Sequence, residues 1–329
     1  MTEKRLDVLC IGNAIVDVLC QVDEDFVEEQ GLLKGSMQLI DESRSHELYE
    51  SMGPATEVSG GSGANTAAGI ASLGGRVGFI GKVRDDQLGE VFTHDIRSAG
   101  VRYTTDAATA GPSTARCLVL VTPDAQRTMS TYLGISAALT PDDIDESAVA
   151  AASITYCEGY LWDAPHAKAA IRKAMEVAAG NGGRVAFTLS DGFCVDRHRA
   201  EFLDLAENHV DILFGNEAEI TSLYEVDTFD EAMQFVRGHC EVACLTRSEH
   251  GSVIISGDEV HVIDASPPVE VLDTTGAGDL YAAGLLYGVT SGFDLATAGR
   301  IASIAAAEVI DHIGARPRVS LAELVRARL

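Results

Sequence analysis

The sequence predicts an α/β fold, with a mostly parallel central sheet covered by helices on both faces and a small β-unit beside it. Three observations predict this. From Pro141 onward, short apolar runs alternate regularly with helical patterns, which implies parallel strands joined by crossover helices. Upstream, residues 113–133 (STARCLVLVTPDAQRTMSTYL) read as a β-hairpin, and residues 22–42 form a polar excursion from the core. Near the C-terminal end, an apolar run enters a glycine turn and then a helix, at Asp273-Thr-Thr-Gly-Ala-Gly-Asp279.

Taken in order, Leu6 to Ile11 reads as a buried strand closed by Gly12-Asn13. Residues 16–21 alternate as a further extended piece. Asp17 lies there in apolar surroundings, which is costly unless it is hydrogen-bonded; an Asx-type turn beside Asn13 is the alternative. Val58 to Asn65 (VSGGSGAN) opens the helix TAAGIASLGG. A short strand follows at Val77–Gly81, then Asp85-Asp86 and a helix from Leu88 to Ser98. In the hairpin, Pro123-Asp124-Ala125 forms the turn and Arg127 leaves it, either solvated or directed at a site.

The alternation then runs through strands at Ser153–Cys157, Val185–Leu189, Val210–Phe214, Val242–Thr246 and Ser252–Ile255, the last two around His250-Gly251. Helices are expected at Pro165–Ala179, Arg199–Glu207, Asn216–Tyr224 and Phe229–Arg237, with a last one at Ile301–Ile310. Val269 to Leu272 is read as a strand. Ligands of such sheets sit at the carboxyl ends of strands, so Asn13, Ser190-Asp191, Asn216-Glu217, Thr246 and Asp273-Thr274 are expected along one edge.

Composition narrows the function. The chain has 329 residues, 46% hydrophobic and 22% charged, enough for one large α/β domain with a small appendage. Its formal charge of −26 argues against nucleic acid or an anionic membrane as partner. The seven scattered cysteines form no C-x-x-C pair and point to reduced thiols in the cytoplasm. The opening MTEKRLDVLCIG reads as neither signal peptide nor membrane span.

The glycine turn carries the chemistry. Gly276 and Gly278 let the backbone turn sharply and approach a ligand, and the first-turn N–H groups with the helix dipole make an anion site suited to phosphate. Asp279 puts a carboxylate beside it, which suits orienting a hydroxyl or taking its proton. Asn216-Glu-Ala-Glu219 is compatible with Mg²⁺ held through water by Glu219; an ordinary acidic helix start is the competing reading. His312, near the chain's end, is open between surface, cap and adenine wall. No G-x-x-x-x-G-K-[ST] loop occurs.

Together these motifs resemble the PfkB, or ribokinase-like, family of carbohydrate and nucleoside kinases. DTTGAGD is similar to its second signature, GGSGANTAAGIASLGG with VGFIGKVRDDQLGE to its first, and NEAE to its N-x-x-E motif. Within the family, GNAIVD, VDEDFVEEQGL, GGS, TLSDGF and DILFGNEAE look most like the adenosine kinases. SGAN and the second threonine of DTTGAGD are instead ribokinase-like, and Tyr160-Leu161-Trp162 keeps an aromatic stretch in a different order.

The resemblance implies a three-layer α/β/α domain (1–17, 43–109 and 136–329) with a discontinuous β-lid (18–42 and 110–135). It implies ATP-dependent phosphorylation of the adenosine 5′-hydroxyl, with Asp279 as base and the amides of Gly276, Ala277, Gly278 and Asp279 as anion hole. Asn13, Asp17, Gly61, Ser62, Asn65, Arg127 and Leu161 would bind the acceptor. Asn216, Thr246, Gly251, Thr275, His312 and Gly314 would border ATP. Glu219 would organise Mg²⁺ through water, and Asp273 would belong to a monovalent-cation (K⁺) loop. The resemblance allows a monomer or a lid-mediated homodimer. A sugar kinase, a kinase for another nucleoside, and a nucleoside-binding regulator on an inactive kinase scaffold are the alternatives.

Overall fold

The structure is a computed structural model, and it describes residues 5–124 and 126–329; Ala125 of the expected hairpin turn and residues 1–4 lie outside them. Along the chain the strands are β1 (Leu6–Ile11), β2 (Ile15–Gln21), β3 (Met37–Leu39), β4 (Thr56–Gly60), β5 (Val77–Ile80), β6 (Arg102–Tyr103), β7 (Ala115–Val121), β8 (Arg127–Tyr132), β9 (Ala152–Glu158), β10 (Arg184–Thr188), β11 (Ile212–Asn216), β12 (Val242–Thr246), β13 (Ser252–Ser256) and β14 (Glu259–Ile263). The helices are α1 (Glu24–Glu29), α2 (Glu42–Ser51), α3 (Ser62–Ser72), α4 (Gln87–Ser98), α5 (Glu146–Ala151), α6 (Pro165–Gly180), α7 (Gly192–Asn208), α8 (Glu217–Tyr224), α9 (Phe229–Val236), α10 (Ala277–Thr290), α11 (Leu295–Val309) and α12 (Leu321–Arg328).

Nine strands form the main sheet in the order β14-β13-β12-β11-β10-β9-β1-β5-β6. Seven run parallel, and β13 and β14 are added antiparallel at one edge. Strand periodicity sorts the core into two faces. Val8 and Cys10 of β1 join the core under α3, α10 and α11, whereas Leu9 and Ile11 join the core under α5 to α9. The strand order reverses between β1 and β9, so the crevice at their carboxyl ends, next to Asn13 and Glu158, is a topological switch point.

The second sheet, β3-β8-β7-β2-β4, follows the same alternation. Val18, Cys20, Leu118 and Leu120 pack on α1 and α2 through Val27, Leu32 and Leu48. The opposite face, with Asp17, Leu19, Cys117, Val119 and Arg127, lines a large cavity. This sheet also takes β4 and the start of β2, and α2 packs on it, so these elements lie outside the segments 18–42 and 110–135.

Several elements depart from expectation. Val269 to Leu272 is not a strand: the backbone is irregular and Val269, Val271 and Leu272 are exposed. The amides of Val269 and Glu270 donate to Asp311 Oδ1 and that of Leu272 to Ile310 O, so the segment is tied to the chain after α11 instead of to a sheet, and β13 is already covered by β14, which the sequence pattern did not show. The helix expected from Arg199 begins at Gly192, capped by Asp191, and is broken at His198, which hid its first half. α12 follows the helix expected to be last.

Most helices start on a side-chain cap, for example Asp86, Asp191, Asn216 and Asp294. α3 and α10 instead start at Gly61 and Gly276 with no side chain of the cap residue bonded, which leaves the Gly278 and Asp279 amides of α10 uncapped. α10 lies against α11 at Gly284, where a Cβ would stand 2.4 Å from the Ala302 Cα. Gly284→Ala is therefore expected to lower stability by about 1–3 kcal/mol through overpacking, read as a shift in urea midpoint at unchanged m-value.

Candidate functional site

A cavity of about 1820 Å³ lies between the two sheets. A single small-molecule site takes about 300–1,000 Å³, so two ligands can lie side by side. Asp279 lines it from the first turn of α10. Its carboxylate is held by α3: Ser62 Oγ donates to Oδ1 at 2.6 Å and Asn65 Nδ2 to Oδ2 at 3.0 Å. Thr66 Oγ1 donates to the Asp279 carbonyl at 3.2 Å. Burial raises the carboxyl pKa, and the Ser62 and Asn65 donors oppose that. The result is an oriented acid with lone pairs to spare beside free helix donors.

Gly276 has φ 83°, the left-handed region, and its missing Cβ would lie 2.8 Å from the Ala315 backbone. The N–H of Ala277 donates to Thr274 O at 3.2 Å, and Ala277 does not line the cavity. The amides of the turn left on the cavity wall are thus those of Gly276, Gly278 and Asp279; Ala277 belongs to the turn itself.

Asp17 faces the same cavity from β2. Its carboxyl has no hydrogen-bond donor among the described residues, so the Asx-turn alternative does not hold. Burial pushes its pKa up to about 7, while the cations of Arg316 and Arg127 pull it down. Gly61, Ser62 and Asn65 stand beside it on the wall. Asn13 also lines the cavity, but both polar ends of its amide are committed: Nδ2 donates to Glu158 Oε1 at 2.6 Å, and Oδ1 accepts from Ser136 Oγ at 2.8 Å.

Arg127 reaches from β8 to the glycine turn, pairing with Asp273 at 2.7 Å and donating to Thr275 Oγ1 at 3.1 Å. Asp273 also accepts from Thr275 N at 3.0 Å and Gly314 N at 2.9 Å. It is buried behind the turn and is not on the cavity wall. The carboxylate expected to hold K⁺ is thus engaged by two amides and a guanidinium.

Asn216, Thr246, Thr275 and Gly314 line the cavity at the carboxyl end of the sheet. Asn216 and Glu219 close a capping box: Asn216 Oδ1 accepts from Glu219 N at 2.9 Å and Asn216 N donates to Glu219 Oε2 at 3.0 Å, while Asn216 Nδ2 also donates to Glu219 Oε1 at 2.6 Å. The helix-start reading is therefore correct for their mutual bonds. Burial raises Glu219 to about 7. Glu219 lines the cavity and each of its oxygens accepts one bond of the two it can take, which fits a carboxylate that would hold Mg²⁺ through water. No cluster of three metal-ligating side chains exists among the described residues.

Three expected site residues lie elsewhere. Leu161 is buried in the core under α6 and α7, and Tyr160 takes the wall position. Gly251 shapes the turn into β13, where a Cβ would meet Ile263 O at 2.0 Å. His312 is buried and pairs with Glu308 at 3.4 Å, away from the cavity. Asp273-Thr274 follows no strand, and Glu217 turns outward to Arg247 at 3.1 Å.

Two wall residues escaped sequence reasoning. Glu158, fully buried at the end of β9, accepts from Asn13 N at 2.6 Å and Gly63 N at 2.8 Å, and burial raises it to about 7. A glutamate ending a strand next to the switch point was the available signal. Arg316 contacts residues 251 and 257 positions away, Asn65 and Ser59, so no local pattern could reveal it.

A family model for the pfkB family carbohydrate kinases matches residues 7–321. The chain belongs to the PfkB family. An adenosine kinase from Sinorhizobium meliloti is 51% identical, with TM-score 0.93, covering 99% of this chain and 100% of that one. A probable sugar kinase from Rhizobium etli CFN 42 is 48% identical at TM-score 0.93, covering 99% of both chains. The 5-dehydro-2-deoxygluconokinase of Geobacillus thermodenitrificans is 26% identical over 319 residues, covering 94% of this chain and 88% of that protein. An adenosine kinase from Schistosoma mansoni, 22% identical at TM-score 0.83, shares the fold.

This PfkB protein is accordingly a ribokinase-like sugar or nucleoside kinase, a phosphotransferase with an alcohol acceptor. Membership implies a small-molecule acceptor, ATP as co-substrate and, as is usual in the family, Mg²⁺. No helix among the described residues is long and apolar enough to cross a membrane. All seven cysteines are free.

The raised Asp17 pKa sets a pH dependence. Its folded value of about 7 exceeds the ordinary 3.8, so its contribution to stability is complete below 3.8 and lost as pH rises through 7. Asp17→Asn removes that loss and no hydrogen bond. The variant is expected to gain thermal stability relative to wild type as pH goes from about 4 to 8; a pH-independent difference counts against the buried carboxyl.

Proposed function

We propose that the protein transfers the γ-phosphoryl group of ATP to the 5′-hydroxyl of adenosine, giving AMP and ADP. The observation that carries this is the Asp279 carboxylate, oriented by Ser62 and Asn65 at the open N-terminus of α10, on the same cavity as the unpartnered Asp17. Phosphoryl transfer requires alignment and charge stabilisation more than covalent chemistry. Asp279 accepts the hydroxyl proton as the acceptor oxygen attacks phosphorus and the bond to ADP breaks. The N–H groups of Gly276, Gly278 and Asp279 stabilise the charge on the transferring group. Asp17 takes the ribose hydroxyls. Glu219 would hold Mg²⁺ through water, and the ion would supply charge neutralisation at the donor phosphates.

The small sheet serves as a lid: Arg127 already joins it to the glycine turn, and closure excludes water. Its inner face carries Leu19, Met37, Leu39 and Val119, with Phe193 opposite, an apolar wall suited to a base more than to a bare sugar. The 51% identity to an adenosine kinase agrees with this acceptor. The relatives named as sugar kinases favour a second reading, a sugar acceptor at the same Asp17 and Asp279.

ADP release across nucleosides and free sugars separates the two readings. Adenosine is expected to be turned over best; turnover of sugars without adenosine would establish the second. Asp279→Asn is expected to lose nearly all turnover, on the order of the 10²–10⁴-fold of a general base or more, while still binding acceptor by calorimetry. An active variant would remove Asp279 from the role of proton acceptor.

A further inference from the structure

Arg316 follows Ala315, the residue that packs on Gly276, and its guanidinium crosses to two other parts of the molecule. Nε donates to Asn65 Oδ1 on α3 at 3.3 Å, and Nη1 donates to Ser59 Oγ on β4. The remaining nitrogen, Nη2, is buried without a hydrogen-bond partner among the described residues. Burial draws the guanidinium pKa down to about 10. A largely buried cation whose own bonds are incomplete is a cost to the fold, so its retention calls for a task.

The task lies in the Asn65 side chain. An amide has an accepting and a donating end, and its contacts decide which faces where. With Oδ1 against the guanidinium, Nδ2 must face Asp279, where it donates at 3.0 Å. The flipped amide would set N–H against N–H on one side and oxygen against carboxylate on the other, both repulsive. Ser62 holds the other Asp279 oxygen by itself. A single hydroxyl leaves the carboxylate free to rotate about that contact.

We infer that Arg316 is a positioning residue for the transfer reaction: it locks the Asn65 amide so that Nδ2 holds the Asp279 carboxylate in line with the acceptor hydroxyl. Because Nη1 is anchored on β4, the lock also ties the base to the small sheet. The inference rests on the proposed role of Asp279 but not on which acceptor is used.

The test is a double-mutant cycle run with whichever acceptor wild type phosphorylates. Sugar turnover without adenosine would refute the adenosine reading and leave the cycle intact. Arg316→Gln is expected to lower kcat by up to about a hundredfold, the scale of an about 1 Å misplacement, with the KM for ATP little changed. Arg316→Lys, which restores a cationic donor toward Oδ1, is expected to recover much of the loss. In an Asn65→Ala background the Arg316→Gln change should cost less than about twofold, because the partner it acts through is gone. Full activity of Arg316→Gln, or losses that multiply across the cycle, would overturn the inference. Should Arg316→Gln fail to fold, Ser59→Ala removes one anchor of the guanidinium: a smaller kcat loss that disappears in the Asn65→Ala background supports the lock, and wild-type kcat overturns it.

Discussion

The hydrogen bonds between α3 and the Asp279 carboxylate are the constraint on which the site depends. A half-buried carboxylate needs donors, and α10 offers none along its own length that can reach the side chain. The donors come from a helix more than two hundred residues earlier in the chain. They arrive because small residues let α3, α10 and α11 pack closely: Gly69 admits Leu280 and Ala283, and Gly284 admits Ala302. The alanine- and glycine-rich character of these helices is thus part of the site, since bulkier side chains would move Ser62 and Asn65 out of reach.

Electrostatics at the site run against the field of the whole molecule. A chain with net charge −26 repels a polyanionic donor at long range. Local arrangements compensate: free amides at the start of α10, Arg127 beside the glycine turn and Arg316 behind the base. Burial around the same low-dielectric cavity raises Asp17, Glu158 and Glu219 to about 7, with neighbouring carboxylates adding a smaller push. These groups therefore change charge within the range where a kinase works, and the two arginines keep Asp17 from rising further.

The fold explains transfer better than it explains choice of acceptor. Relatives named for adenosine and for sugars match this chain over most of its length, and the solved ones share its fold. Discrimination falls to the inner face of the small sheet and to the wall around Tyr160 and Phe193, which contact the outer part of the cavity. Strand alternation fixes which of these side chains face inward: Asp17 and Leu19 do, and Val18 packs on the opposite face against the helices.

The sequence by itself determined the parallel sheet, the hairpin and the anion turn with its acid. Each depends on short-range spacing: strand and helix periods, a turn, and a helix start with glycine in place of a cap. It also placed Asn13, Asp191, Asn216 and Thr246 on one cavity, because residues just after parallel strands share an edge, while Asp17, Ser62 and Asn65 came from the family resemblance. Only the tertiary structure decided the rest. Val269 to Leu272 reads as a strand, but its amides bond to Asp311 and Ile310 after α11 instead of to a sheet. Leu161 and His312 are next to wall residues in sequence yet are buried off the wall, Leu161 in the core under α6 and α7 and His312 beside Glu308. Glu158 and Arg316 owe their roles to partners that the fold brings together from distant parts of the chain, and no local spacing encodes such a contact.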